Sequence, residues 1–297
     1  MQTVVNPLIR LLLLCSGMAA TSVVVAQGTP LPIELLPLGK DLGIKSGQTV
    51  TPAYEGWYED DDGQIAFSFG YYNRNTEEEL DIPVGPANRV IGAPDGNPNQ
   101  GQPTHFAVER HWGVFVVKVP ADYDGEVAWH LENQGKTFLI PANRNLDFVI
   151  DAIAGDAGGN FPPEVRFSED AAWGHGPAGS TEGPVEARVG RALTVNTYAR
   201  DDGKATGLMA SFVSQTGGGR KPPLRVHWFK HQGPGSVEFS EQDKTVPVDG
   251  GVATTEATFT APGDYILRAR ITEFTGPEMS GHSQCCWSNG FLKVNVR

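Results

Sequence analysis

The apolar residues of this chain recur with a period of two, and no window of useful length sustains a period of 3.6. That alternation restricts the fold most, because side chains on a strand point to opposite faces in turn. In 63–72 (GQIAFSFGYY), Ile65, Phe67, Phe69 and Tyr71 alternate with Gln64, Ala66, Ser68 and Gly70, which predicts a strand with one apolar face. In 265–271, Tyr265, Leu267, Ala269 and Ile271 share a face and Arg268 and Arg270 sit on the other. Further strands are expected at 80–84, 114–119, 127–131, 137–140 and 148–153. A second set is expected at 185–189, 192–198, 224–230, 237–239, 254–260 and 291–296. The chain's 36 Gly and 22 Pro supply the turns between them. Asp60-Asp61-Asp62-Gly63 reads as a turn, and Asn133-Gln134-Gly135 as the tip of a hairpin. The fold class expected is all-β: two β-sandwich domains, 51–154 and 164–297, with the linker-like segment 155–163 between them.

The N-terminus reads as an address. Arg10 is followed by an apolar stretch, 11–25, and then by Val24 and Ala26 in a small-residue cleavage pattern before Gln27. The stretch is shorter than the ~20 apolar residues of a membrane span. A cleaved signal peptide at 1–26 and an extended lead-in at 27–50 follow from this. The expected location is therefore outside the cytoplasm: periplasmic, cell-surface or secreted, with no stable membrane span after cleavage. The net charge of −12 argues against a nucleic-acid partner, since phosphate contacts need clustered Lys and Arg.

Three runs in the second half carry a resemblance. They are 192–202 (ALTVNTYARDD), 225–239 (RVHWFKHQGPGSVEF) and 253–272 (ATTEATFTAPGDYILRARIT), followed by 291–296. In this order, residues 184–297 resemble the immunoglobulin-like modules of the PKD and related bacterial types. The resemblance implies that Trp228 lies on the third main strand and that Tyr265 forms a tyrosine corner. Leu267 stands where antibody-type domains have their second Cys, so no inter-sheet disulfide is implied. Through 69–86, 101–106 and 284–289 the whole chain also resembles a group of exported bacterial two-domain β proteins, which imports no activity.

An immunoglobulin-like sandwich brings 201–223 and 273–288 to one end. Met279, His282, Cys285, Cys286 and Trp287 in the second loop are therefore candidate binding residues. Bracing the joint between the domains is the simpler role for these loops. Trp112, in a His111-Trp112-Gly113 turn, is the aromatic most expected to be exposed among Trp57, Tyr58, Tyr71, Tyr72, Trp112 and Trp129. If exposed together, these aromatics would form a sugar-stacking platform. Cys285 and Cys286 read first as two reduced thiols at a strand entrance. A vicinal disulfide comes second, because neighbouring Cα atoms only about 3.8 Å apart strain an S–S bond.

Common catalytic motifs are lacking: there is no G-x-S-x-G, H-E-x-x-H, Walker-type loop or C-x-x-C. His227 and His231 share a strand face at roughly 13 Å, too far for one metal. His105 and His111 flank a possible turn, and His282 lies near the cysteines. Asp60, Asp61 and Asp62, or Asp201 and Asp202, offer hard oxygens, but solvated turns are the simpler reading. No cofactor is expected, with calcium and a transition metal left open. The leading function is a non-catalytic binding or structural module for a protein or glycan. The alternative is a metal-dependent or hydrolytic enzyme whose site between the domains draws on His105, His111 and His282.

Overall fold

The computed structural model describes residues 43–150, 160–204, 223–273 and 286–297. The signal segment 1–26 and most of the lead-in, the linker and the two long loops lie outside them, as do Met279, His282 and Cys285.

The first half builds eight strands: β1 (Val50–Glu59), β2 (Ile65–Asn73), β3 (Leu80–Asp81), β4 (Asn88–Ile91), β5 (His105–Phe106), β6 (Glu109–Val119), β7 (Ala128–Asn133) and β8 (Lys136–Pro141). They form two three-stranded sheets, β1-β2-β6 and β4-β7-β8, and a small β3-β5 ribbon. The apolar face of β2 does point inward. Phe69 stacks on Phe115 at 5.3 Å, and both meet the fully buried Trp129 edge-on. The Asn133-Gln134-Gly135 tip is a two-residue turn with positive φ at both Gln134 and Gly135, the type that matches strand twist.

Several expectations need correction here. The strand β1 is absent from the sequence reading, because Pro52 and Gly56 interrupt its pattern. Pro52 is tolerated because β1 is an edge strand. Gly56 sits at a bulge with φ +137°, where a Cβ would collide with the Phe148 carbonyl. The expected strand at 80–84 shrinks to Leu80–Asp81. Half of the one expected at 148–153 lies outside the described residues; before it, Leu146–Phe148 is a 3₁₀ turn and Val149 makes a single bridge to Trp57. His111-Trp112-Gly113 is no turn but lies within β6, where the pairing with β2 slips between Phe69 and Tyr71. Trp112 is accordingly half-buried.

The second half contributes β9 (Glu164–Arg166), β10 (Gly174–His175), β11 (Ser180–Ala187), β12 (Leu193–Arg200), β13 (Leu224–Gln232), β14 (Val237–Phe239), β15 (Asp243–Val246), β16 (Gly251–Phe259), β17 (Gly263–Thr272) and β18 (Trp287–Val296). One sheet runs β10-β9-β12-β16-β14 and the other β11-β18-β17-β13-β15. Every pairing is antiparallel except β11 with β18, which is parallel. This is an immunoglobulin-like sandwich. Trp228 fills its centre, fully buried, and donates from Nε1 to Thr197 Oγ1 across the sheets at 3.0 Å. Tyr265 makes the corner, donating its hydroxyl to the Ala261 carbonyl at 2.8 Å and accepting from the Gly235 N–H at 2.9 Å. We predict that Tyr265→Phe, which removes the hydroxyl and leaves the ring, lowers stability by about 1–2 kcal/mol in denaturant titration.

The two sandwiches are fastened face to face. The outward side of β2 carries Ala66, Ser68 and Gly70, all buried, and small enough for another sheet to approach closely. Gly113 (φ +41°) has no room for a Cβ, because the Trp287 ring rests on it. Asn289 donates to the Gly113 carbonyl at 2.8 Å, the Ala178 N–H to the Tyr58 hydroxyl at 3.3 Å, and Gln232 to the Gln102 carbonyl at 2.6 Å. The Thr104 N–H bonds the His231 carbonyl at 2.9 Å, and the His231 ring bonds the Gly101 carbonyl at 2.7 Å. Arg268 and Arg270, on the polar side of β17, are therefore buried in this joint. Residues 43–297 form one compact unit.

Candidate interdomain cleft

Along one side of the joint the facing sheets part to leave a cleft of about 850 Å³. Strand pairing decides which side chains line it. Tyr72 and Arg110 are cross-strand partners on β2 and β6, and Trp112 follows Arg110 by two residues on the same face. They make one wall. On β13, Arg225, His227 and Phe229 alternate onto one face, and Arg270 of β17 pairs with His227. These make the other wall, with His111 between them and Glu79 and Glu109 at the rim.

The walls are braced from behind. Arg110 donates to the buried Glu55 at 2.6 Å and lies 4.1 Å from the Trp112 ring, which fixes the indole. Burial raises the Glu55 pKa to about 7 against the pull of Arg110. Phe229 stands between cations: the Arg268 guanidinium is 4.5 Å from its ring and that of Arg270 5.4 Å. Arg268 is fully buried. Its Nη2 reaches the His111 Nδ1 at 3.4 Å, while Nε and Nη1 have no hydrogen-bond partner among the described residues. Burial, reinforced by Arg270 and opposed by Tyr71, pushes its pKa down to about 9. His111 is held neutral, by burial first and then by the charges of Arg268 and Arg270. Its Nε2 donates to the Val108 carbonyl, which leaves Nδ1 to accept from Arg268.

The cleft continues past Glu79, Ala107, Phe229 and Gln242 into a smaller recess of about 520 Å³. There His105 Nδ1 meets Asp81 Oδ1 at 3.0 Å and His105 Nε2 meets Glu79 Oε2 at 3.2 Å. The buried Lys230 ammonium, from the second sandwich, donates to the same Asp81 oxygen at 2.8 Å. Burial alone would lower the His105 pKa, but Asp81 and Glu79 outweigh it and raise it. Asp81 is likewise raised by burial and lowered more by His105 and Lys230, to about 2. With both ring nitrogens engaged by carboxylates, His105 has no lone pair directed at a substrate. The recess is an ion-pair network that crosses the joint.

Of the residues singled out in the sequence, the structure brings Tyr72, His111 and Trp112 to the cleft and His105 to the adjoining recess, and the two histidines do not bond each other. Among the described residues, no three His, Cys, Asp or Glu side chains form a group able to hold a metal. Trp129, Tyr58 and Tyr71 are buried. Cys286 and Trp287 are buried too, Trp287 against Gly113 in the joint, so neither presents a surface to an outside partner. Cys286 is disulfide-bonded, which corrects the reading of two reduced thiols, and Asn160 Nδ2 donates to its sulfur at 3.2 Å. Arg225, His227, Phe229 and Arg270 were missed as site residues, although the 224–230 alternation already put the first three on one face.

No family model and no curated protein sequence matches the chain. Among solved structures, it is similar to the D00-D0 domain of intimin at 10% identity, over 83% of this chain and 99% of that one, with a TM-score of 0.25. It is similar to domains 4 and 5 of the S-layer protein SbsC at 11% identity, over 81% and 98%, with a TM-score of 0.23. A titin A168–A169 structure is similar at 12% identity, over 83% and 98%, with a TM-score of 0.22. Likenesses this distant add nothing to what the strand order itself shows: an all-β chain whose second sandwich is immunoglobulin-like.

Proposed function

We propose that this protein is an exported, non-catalytic binding or structural module that meets a protein or glycan outside the cytoplasmic membrane. The observation that carries the reading is the interdomain cleft. Aromatic and cationic side chains line it on two rigid walls, and His105 in the adjoining recess is committed to the ion pairs of the joint. Rigid, preformed concavities with a few oriented polar groups are where ligands are held. The signal-like segment 1–26 supports export to the periplasm, cell surface or medium. The Trp228 and Tyr265 geometry supports a PKD-type assignment within the immunoglobulin-like class. A large hydrophobic cluster in each half supports the division into domains 51–154 and 164–297.

Two measurements test this. Intact mass of the protein recovered outside the cytoplasm should show loss of residues 1–26. Equilibrium-binding screens of the purified full chain against envelope polysaccharides and envelope proteins, with product analysis of the same mixtures, should show a retained and chemically unchanged partner. Turnover of any of them would overturn the non-catalytic reading.

A further inference from the structure

We propose that the cleft between the sandwiches binds a carboxylated saccharide, with the sugar ring against Trp112 and Tyr72 and its carboxylate toward Arg225 and Arg270. This deepens the binding-module reading and rests on it.

Four observations converge. The cleft, at about 850 Å³, falls in the ~300–1,000 Å³ range of ligand sites. Aromatic rings face it from both walls, Tyr72 and Trp112 on one side and Phe229 on the other. Tyr72 is 46% exposed, an unusual position for a large ring here, since most of the others lie in the cores. Arg110 covers one face of the Trp112 indole at 4.1 Å, and a sugar's C–H face would pack on the other.

Charge supplies the second half. The protein as a whole is acidic, at −12, yet this cleft gathers Arg110, Arg225 and Arg270. Behind them lies Arg268, a buried cation whose Nε and Nη1 lack partners among the described residues. A buried, unpaired charge is costly, and its field in a poorly screened site favours an anion nearby. Arginine suits a carboxylate because its planar fork donates in parallel.

Acceptors separate a sugar from a simple anion. Glu79 and Glu109 line the same cleft. A sulfate ion or a fatty-acid carboxylate has no donors for them, whereas a uronic acid carries hydroxyl donors, a carboxylate and a flat apolar face within one ring. The cleft offers all three complements on fixed strands.

The test is a calorimetric titration of the purified full chain with tetragalacturonate, its methyl ester, maltotetraose and poly-glutamate, with tryptophan fluorescence as a second readout. Tetragalacturonate should bind, and the methyl ester should bind about tenfold more weakly or less, because it has lost its charge-assisted bonds. Trp112→Ala should abolish binding. Arg225→Gln, at a half-exposed side chain, should weaken it about tenfold. Trp112→Phe, which keeps a ring, should retain it. Equal binding of the ester or of maltotetraose overturns the acidic-sugar assignment, and preferential binding of poly-glutamate reassigns the cleft to acidic peptides. If tetragalacturonate fails while the envelope screen still yields a retained partner, the saccharide proposal falls and the binding module stands. If neither binds, both fall.

Discussion

Replacing Trp228 by alanine should cost about 3–5 kcal/mol, enough to leave the second sandwich largely unfolded. The side chain is fully buried between the two sheets, so its removal opens a cavity that rigid strands cannot close. It also strands the Thr197 hydroxyl, itself fully buried, which accepts the indole N–H at 3.0 Å. Denaturant titration of the variant should show a much lower midpoint, or no native baseline. A loss below about 1 kcal/mol would mean that Trp228 is not at the centre of the core. Trp228→Phe should recover much of the loss, because it restores most of the volume.

Acid should loosen the joint progressively below about pH 6.5 and most steeply below about pH 4.5. His231 is buried and its pKa is pushed from 6.5 to about 3, by burial first and then by Arg268. His111 moves the same way. Both are depressed, so what they contribute is complete above pH 6.5 and is lost as pH falls toward the folded values. For His231 this loss has a ceiling on the order of 5 kcal/mol. Asp81, lowered from 3.8 to about 2, contributes fully above pH 3.8 and loses that contribution as pH falls through about 2. Two groups act in the opposite direction. Glu55, raised from 4.5 to about 7, contributes fully below pH 4.5 and loses that as pH rises through about 7. His105, raised above 6.5, contributes fully below 6.5 and loses that as pH rises through its folded value. From pH 7 to 4.5 the gains offset only part of the loss from the two histidines, and below 4.5 only losses remain. Urea midpoints measured from pH 7 to 3 should show a shallow decline and then a steeper fall. His231→Asn, which does not titrate, should flatten the fall, and an unchanged slope in that variant would remove His231 from the account.

The legible parts of this molecule are those where one strand carries its own signal. The alternation in β2 and β17 and the Asn-Gln-Gly tip sit where the residues place them, and Trp228 and the Ala261–Tyr265 corner sit where the resemblance to immunoglobulin-like modules implies. Short strands escaped: β15 reads as Thr-Val-Pro between charged residues, and β9 is three residues beside two prolines. The joint escaped for a different reason. Ala66, Ser68 and Gly70 have the small, weakly polar character of a solvent face, and Arg268 and Arg270 look exposed by alternation. Periodicity says which side of a strand a residue occupies, but not whether a second sheet covers that side. The cleft was half-legible accordingly. Tyr72 and Trp112 stood out as aromatics, whereas Phe229 and the arginines opposite them become partners only through the register of β13 against β17.

The joint also sets an order in time. Gly113 and the residue that grips its carbonyl, Asn289, are 176 positions apart. The first sandwich can gather its own core from residues close together in the chain, but the outer face of β2 stays wet until β18 has paired with β17. Contacts of such long separation form late, because loop closure precedes any reward. While the chain is being made, the small residues of β2 are bare, and the last strand to arrive both completes the second sandwich and closes the seam.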